Sequence, residues 1–264
     1  MQVAGDYRLG AEEGDERMTD TAPSALITGA SRGIGRAIAL RLAGRGHRLT
    51  VVARKPEGLA AVAEELRAAG AAEVATCAAD LSDAEDAARP LAEHAERFGD
   101  LDVLVLNAGM GDRGAVADYP LRRFERIHAV NVRAPFVMLQ AATPLLRAAA
   151  VRNPERGAKV VALASSTGVY PEPEYGAYGA SKAALISLVK SYGLEEAGNG
   201  ITASTLSPGY VGTDMTDWLP AEMAGTLIGA EDVATMVEAA VLLGPNAALD
   251  DVTLLRRGSG GNRA

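Results

Sequence analysis

The sequence predicts an α/β fold: a doubly wound parallel sheet of about seven strands with helices on both faces, forming a single domain. Three observations carry this. From Ser24 onward, short β-rich runs alternate with long helical stretches. The run Val103-Leu104-Val105-Leu106 is continuously apolar, as a strand buried on both faces must be. No Pro/Gly/Ser-rich linker interrupts residues 24–255. Such alternation builds βαβ units, whose right-handed crossovers lay helices over both faces of one sheet.

The elements follow in order. Residues 25–28 form a first strand, ending in glycines that open a helix over residues 33–45. A second strand over 48–53 leads into a helix over 57–69, and a third over 73–78 into a helix over 83–98. Strands over 102–106, 159–164 and 201–206 complete the core of the sheet, and 251–255 is the expected seventh. Residues 1–22 hold six carboxylates against two arginines with no apolar period and read as a disordered acidic leader. The domain spans 23–257, with a flexible Gly-rich tail over 258–264.

Charge and composition narrow the function. The chain has 264 residues and a net charge of -8, which argues against nucleic acid or an anionic membrane as partner. No apolar run approaches the roughly 18 residues that span a bilayer. The first twenty residues are acidic, unlike a secretory signal. Cys77 is alone, so no internal disulfide can form, and a reducing cytoplasm is the expected setting. His47, His94 and His128 share no metal-ligand spacing and read as helix-surface residues; Glu195 and Glu196 read as solvated charge; no metal is implied.

The first βα turn reads Thr28-Gly29-Ala30-Ser31-Arg32-Gly33-Ile34-Gly35. Glycines let the backbone turn tightly and approach a pyrophosphate, which rests on the N-terminus of the following helix. With 29 glycines in the chain the spacing arises by chance roughly 0.3 times, so context decides. The context is present: strand before, helix after, at the head of the domain.

Lysine is rare, occurring only at Lys55, Lys159, Lys182 and Lys190. Of the clustered Tyr170, Tyr175 and Tyr178, only Tyr178 has a lysine four residues on, which on a helix places both side chains on one face. A phenol of pKa about 10 is a poor proton shuttle at neutral pH, and a neighbouring ammonium favours the phenolate. Ser165 stands upstream at the end of the fifth strand, where its hydroxyl can bond a substrate oxygen. A solvated Tyr-Lys pair on a helix surface explains the spacing but not these coincidences.

In order and spacing, residues 28–35, Asn107-Ala108-Gly109, Asn131, Ser165, Tyr178-x-x-x-Lys182 and Pro208-Gly209 resemble the short-chain dehydrogenase/reductase family over residues 24 to about 245. The resemblance implies a Rossmann-type fold and a catalytic set of Asn131, Ser165, Tyr178 and Lys182. In that scheme Ser165 polarises the carbonyl and Tyr178 delivers the proton. Lys182 holds the nicotinamide ribose and depresses the tyrosine pKa, and Asn131 anchors a relay water. The family's cofactor contacts fall on Gly29, Ser31, Arg32, Gly33, Ile34 and Gly35 of the turn. They continue through Asp80 and Leu81 at the adenine, and Asn107, Ala108 and Gly109 beside the central strand. Pro208, Gly209, Val211 and Thr213 belong to the loop that meets the carboxamide.

Charge argues the cofactor to be NADP(H). Where an NAD-specific member carries Asp at the end of the second strand, this chain has Ala53 followed by Arg54, and Arg32 adds a cation in the turn. Two arginines can fork onto a 2′-phosphate that a carboxylate would repel. The expected activity is hydride transfer between NADP(H) and a small carbonyl compound or secondary alcohol, as a ketone or aldehyde reductase. The alternative is a dinucleotide-sensing regulatory protein on the same fold, which typically lacks the Tyr or the Lys. A homodimer or homotetramer is expected. The substrate loops fall at 110–118, 168–177 and 214–230, and their sequence names no ligand. Asn199 stands where members acting on acyl carriers commonly have Arg, which argues against docking an acidic carrier.

Overall fold

Alternating side chains on the central strands decide the layering. The computed structural model describes residues 22–259. In β1 (Ser24–Thr28), Ala25 and Ile27 join one hydrophobic cluster and Leu26 the other. β4 (Val103–Leu106) divides in the same way, Val103 and Val105 against Leu104 and Leu106. A period of two on a strand buried from both sides yields two cores, one per face.

With β2 (Arg48–Ala53), β3 (Glu73–Ala78), β5 (Ala158–Leu163), β6 (Ile201–Pro208) and β7 (Asp251–Leu254), the sheet has the order β3-β2-β1-β4-β5-β6-β7. Every neighbouring pair is parallel. α1 (Gly33–Gly44), α2 (Pro56–Ala68) and α7 (Ala230–Leu242) cover one face. α3 (Ala84–Phe98), α5 (Ala134–Arg152) and α6 (Gly176–Glu196) cover the other. α4 (Leu121–His128) runs into α5 through a π-helical turn, Ala129–Arg133. The strand order reverses between β1 and β4, and the crevice beyond their C-terminal ends is where doubly wound sheets bind ligands.

The expected doubly wound sheet of seven strands is the one observed, with small shifts at element ends. Asp83 caps α3 rather than starting it, accepting from the Glu85 and Asp86 N–H groups at 2.9 and 3.0 Å. β6 runs two residues further than its apolar run, because Pro208 still pairs with Leu254. Of the acidic leader (1–22), residues 1–21 lie outside the described residues, as do 260–264 of the tail.

Three readings need correction. His47 and His94 are interior, not surface residues. His94 is fully buried, with Nδ1 2.8 Å from Thr50 Oγ1 and Nε2 2.9 Å from the Asp100 carbonyl. Glu196 is buried under two hydrogen bonds from Arg147, at 2.8 and 2.6 Å, because α6 ends against α5. The helical run Leu121–Arg152, 32 residues that contain an 18-residue window of mean hydropathy 1.3, is long and apolar enough to cross a bilayer by length and composition. Its Met138, Leu139, Ala142 and Leu146 are spent in the core on α3 and the sheet.

Candidate active site

Thr28 ties the crevice together from the end of β1. Its hydroxyl donates to the Val105 carbonyl at 3.2 Å and accepts from the Asn107 and Ala108 N–H groups, each at 2.9 Å. Asn107 Nδ2 returns to the Thr28 and Gly29 carbonyls at 2.8 and 3.2 Å. Gly35 allows this closeness: a Cβ there would lie 2.3 Å from the Gly29 carbonyl oxygen and 2.4 Å from Asn107 Nδ2. The turn therefore fits a dinucleotide phosphate, with bare backbone at the head of α1 and no side chain in the way. Thr28 is a site residue that the glycine spacing does not single out. A hydroxyl at the last strand position before the glycines was the signal available for it.

α6 brings Tyr178 and Lys182 to the same crevice. The Lys182 ammonium lies 5.8 Å from the centre of the Tyr178 ring and donates to the Leu163 carbonyl at the end of β5, 2.7 Å away. A Cβ on Gly109 would come within 3.3 Å of Lys182 Nζ and 3.6 Å of Asn131 Oδ1, so the glycine keeps a gap beside both. Ser165, just beyond β5, lies near enough to the Tyr178 phenol to favour its ionised form, and its Oγ lies 2.9 Å from Thr167 Oγ1. Asn131 sits fully buried in the π turn. It accepts from Met110 N–H at 2.8 Å and donates to the Met110 carbonyl and to Ser181 Oγ, both at 2.9 Å. Both its amide N–H donors are engaged, so its side chain braces the segment after β4 against α6.

Burial governs the two titrating groups. It pushes the Tyr178 phenol up to about 12, opposed by the nearby Ser165 hydroxyl, and brings the Lys182 ammonium down to about 8. The depressed tyrosine expected from the Tyr-Lys spacing is therefore not what the folded chain by itself shows. Desolvation costs the phenolate more than this arrangement returns.

The remaining candidates ring the crevice. Arg54, exposed just past β2, makes no ion pair among the described residues. Arg32 instead pairs with Asp214 at 2.6 Å, reaching across to the loop after β6. Asp80 accepts from the Ser82 N–H and hydroxyl, which hold its carboxyl below the usual range, with Arg126 and Arg54 adding to the effect. Leu81 is buried beside it. Gly209 N–H bonds the Leu254 carbonyl at 2.8 Å, and Val211 bridges to Ile228. Thr213 comes against the turn: a Cβ on Gly33 would lie 3.2 Å from its methyl group. Ser31 and Ile34 stay on the turn and head of α1, and Ala108 and Pro208 at the strand ends.

Comparison with known proteins places this geometry. The short chain dehydrogenase family model matches residues 23–224. The 3-oxoacyl-(acyl-carrier-protein) reductase FabG of Staphylococcus aureus is 38% identical over 202 residues, 76% of this chain and 79% of that protein. An alcohol dehydrogenase from the archaeon Thermococcus sibiricus, complexed with 5-hydroxy-NADP, superposes with a TM-score of 0.81 at 28% identity, covering 92% of this chain and 100% of its own. A short chain dehydrogenase from Burkholderia cenocepacia in complex with NADP gives 0.78 at 32% identity, over 88% and 95%. With its matching sheet, glycine turn and Tyr178-Lys182 pair, this chain belongs to the short chain dehydrogenase family of oxidoreductases.

Proposed function

We propose that the chain is an NADP(H)-dependent reductase of small ketones or aldehydes, with Tyr178 as its acid. The observation that carries this is the meeting of Tyr178, Ser165 and Lys182 in the crevice where the glycine turn faces the ends of β4 and β5. When bound, the dinucleotide supplies a hydride to the carbonyl carbon. The Tyr178 hydroxyl delivers a proton to the carbonyl oxygen, so the C=O double bond becomes a C–O–H alcohol. Ser165 donates a hydrogen bond to that same oxygen as negative charge develops on it. A phenol kept neutral by burial is the form that this direction consumes. Lys182 holds positive charge beside the phenol and, across the gap left by Gly109, is placed to meet a ribose. Asn131 is a positioning residue, holding Met110 and Ser181 around the crevice.

NADP(H) is preferred because Arg54 stands exposed where a carboxylate would otherwise meet the ribose 2′-hydroxyl. Arg32 can join it on leaving Asp214, an exchange that costs little because that pair is exposed, at 74% and 59% of the side chains. Asp80, Leu81, Asn107, Val211 and Thr213 complete the cofactor's border. The outer faces of α4 and α5 carry Leu121, Phe124, Phe136 and Val151 in the open, which supports a dimer formed there, in a cytoplasmic setting. Following NADPH absorbance with a panel of ketones, aldehydes and quinones tests the reading. Turnover dependent on both protein and carbonyl is expected, and its absence across the panel contradicts it.

A further inference from the structure

The three loops that frame Tyr178 present a surface with a definite chemistry. Met215 and Trp218, 52% and 48% exposed, stand on the loop after β6. A Cβ on Gly111 would lie 3.6 Å from Met215 Sδ and 3.7 Å from the Tyr178 ring, so Gly111 sits between the loop after β6 and the tyrosine. Tyr175 meets the Tyr178 ring edge-on at 6.3 Å, and Tyr210 meets Trp218 at 6.1 Å. Val169 and Tyr170 add exposed apolar surface on the loop after β5. Apolar residues exposed together beside a reacting group call for an apolar ligand to cover them.

The charges on the same loops are one-sided. Residues 110–118, 168–177 and 214–227 contain seven carboxylates and a single cation, Arg113. Arg113 is already satisfied: it pairs with Glu174 and stacks 4.6 Å above Trp218 and 5.7 Å above Tyr175. Asp112 and Asp214 are balanced by Arg123 and Arg32 from outside the loops. Asp118, Glu172, Asp217 and Glu222 make no ion pair among the described residues, while Arg256 is engaged with Thr226 at 3.0 Å and lies 5.9 Å from the Tyr210 ring. The mouth therefore repels an anion.

Resting on the carbonyl-reductase reading, we infer that the substrate is an uncharged carbonyl compound bearing a ring-sized apolar group. That group lies against Trp218 and Met215 while its carbonyl meets Tyr178 and Ser165. Carbonyl compounds whose own carboxylate or phosphate must pass the mouth are disfavoured. The reaction is ketone plus NADPH plus a proton giving alcohol plus NADP+, with hydride to carbon and the proton from Tyr178 to oxygen.

Three probes test this with NADPH: acetophenone, 2-butanone and 4-acetylbenzoate. Acetophenone should exceed 2-butanone in kcat/KM roughly tenfold, the return on covering a ring. At 10 mM salt 4-acetylbenzoate should fall roughly fourfold below acetophenone, narrowing to under about twofold at 0.15 M, as screening requires. Trp218→Ala should raise KM for acetophenone about fivefold, leave 2-butanone within about twofold, and be rescued by Trp218→Phe. Trp218 is the chain's only tryptophan, so acetophenone added to protein and NADP+ should quench its fluorescence saturably, without turnover. Equal efficiencies for acetophenone and 2-butanone, a Trp218→Ala that slows both alike, or a carboxylate ketone that matches the neutral one at low salt overturns the inference. Turnover of 2-butanone alone leaves the reductase reading standing and overturns only the substrate class. No turnover of any carbonyl overturns both.

Discussion

Four residues apart on one turn of α6, Tyr178 and Lys182 each pay for burial in the charge they would otherwise carry. In the proposed reduction, a Tyr178 phenol near 12 enters as the acid. Lys182, near 8, is still largely protonated at neutral pH and favours the phenolate left after proton transfer. In Lys182→Met, alcohol oxidation, which needs that phenolate, should therefore have its pH profile displaced upward by about one unit or more. Rates measured from pH 6 to 11 with chemistry limiting check this, and an unmoved profile contradicts it. The pairing itself was legible in the sequence, since a Tyr with a Lys four residues on must share a helix face. Its direction of titration was not, because desolvation depends on what surrounds the pair. Arg54 and Arg32 were legible in the same way, but not that Arg32 is held by Asp214. Arg54→Asp with Arg32→Ser should swing the NADPH/NADH ratio of kcat/KM by about a hundredfold or more toward NADH. Parallel titration of both cofactors measures it.

Elements hold these residues through contacts that sequence spacing does not display. The glycine turn is readable as a motif, yet the reason for Gly35 is a carbonyl and an amide from neighbouring strands. Gly35→Ala should force those groups apart and weaken NADPH binding at least about tenfold, read by fluorescence titration. At the opposite end of the sheet, Arg48, Asp100, Asp102 and Arg152 form ion pairs beside the buried His94. Burial holds the His94 pKa below 6.5, so the folded chain keeps it neutral while the unfolded chain takes up a proton. Stability is then complete above about pH 6.5 and declines as pH falls through the unfolded value toward the folded one. His47 shifts in the same direction, again by burial. His94→Gln should lower Tm at pH 8 and flatten its fall between pH 7 and 5; a fall as steep as wild type contradicts the assignment. Both histidines looked like surface residues because polar type predicts exposure, and only the fold shows Thr50 and the Asp100 carbonyl awaiting His94.

Across the whole molecule, the continuous apolar run Val103–Leu106 and the alternation of strands with helices were enough to announce a doubly wound sheet. What remained unreadable was the segment between Asn107 and β5, where a π turn places Asn131 inward. The substrate loops were equally opaque, since their meaning lies in which distant side chains meet: Trp218 with Arg113, Met215 with Gly111. The assembled molecule sets a glycine turn that fits a dinucleotide phosphate against the Tyr178 phenol, with the Ser165 hydroxyl near it and Met215 beside Gly111. In the proposed function, Tyr178 is the acid of an NADPH-dependent carbonyl reduction. Tyr178→Phe removes the transferable proton and little else, so the direct measurement is its turnover and its NADPH affinity beside those of wild type. A loss of about a hundredfold to ten-thousandfold in kcat with NADPH binding nearly unchanged is expected. A variant that keeps more than about a tenth of the wild-type rate on a good ketone contradicts it.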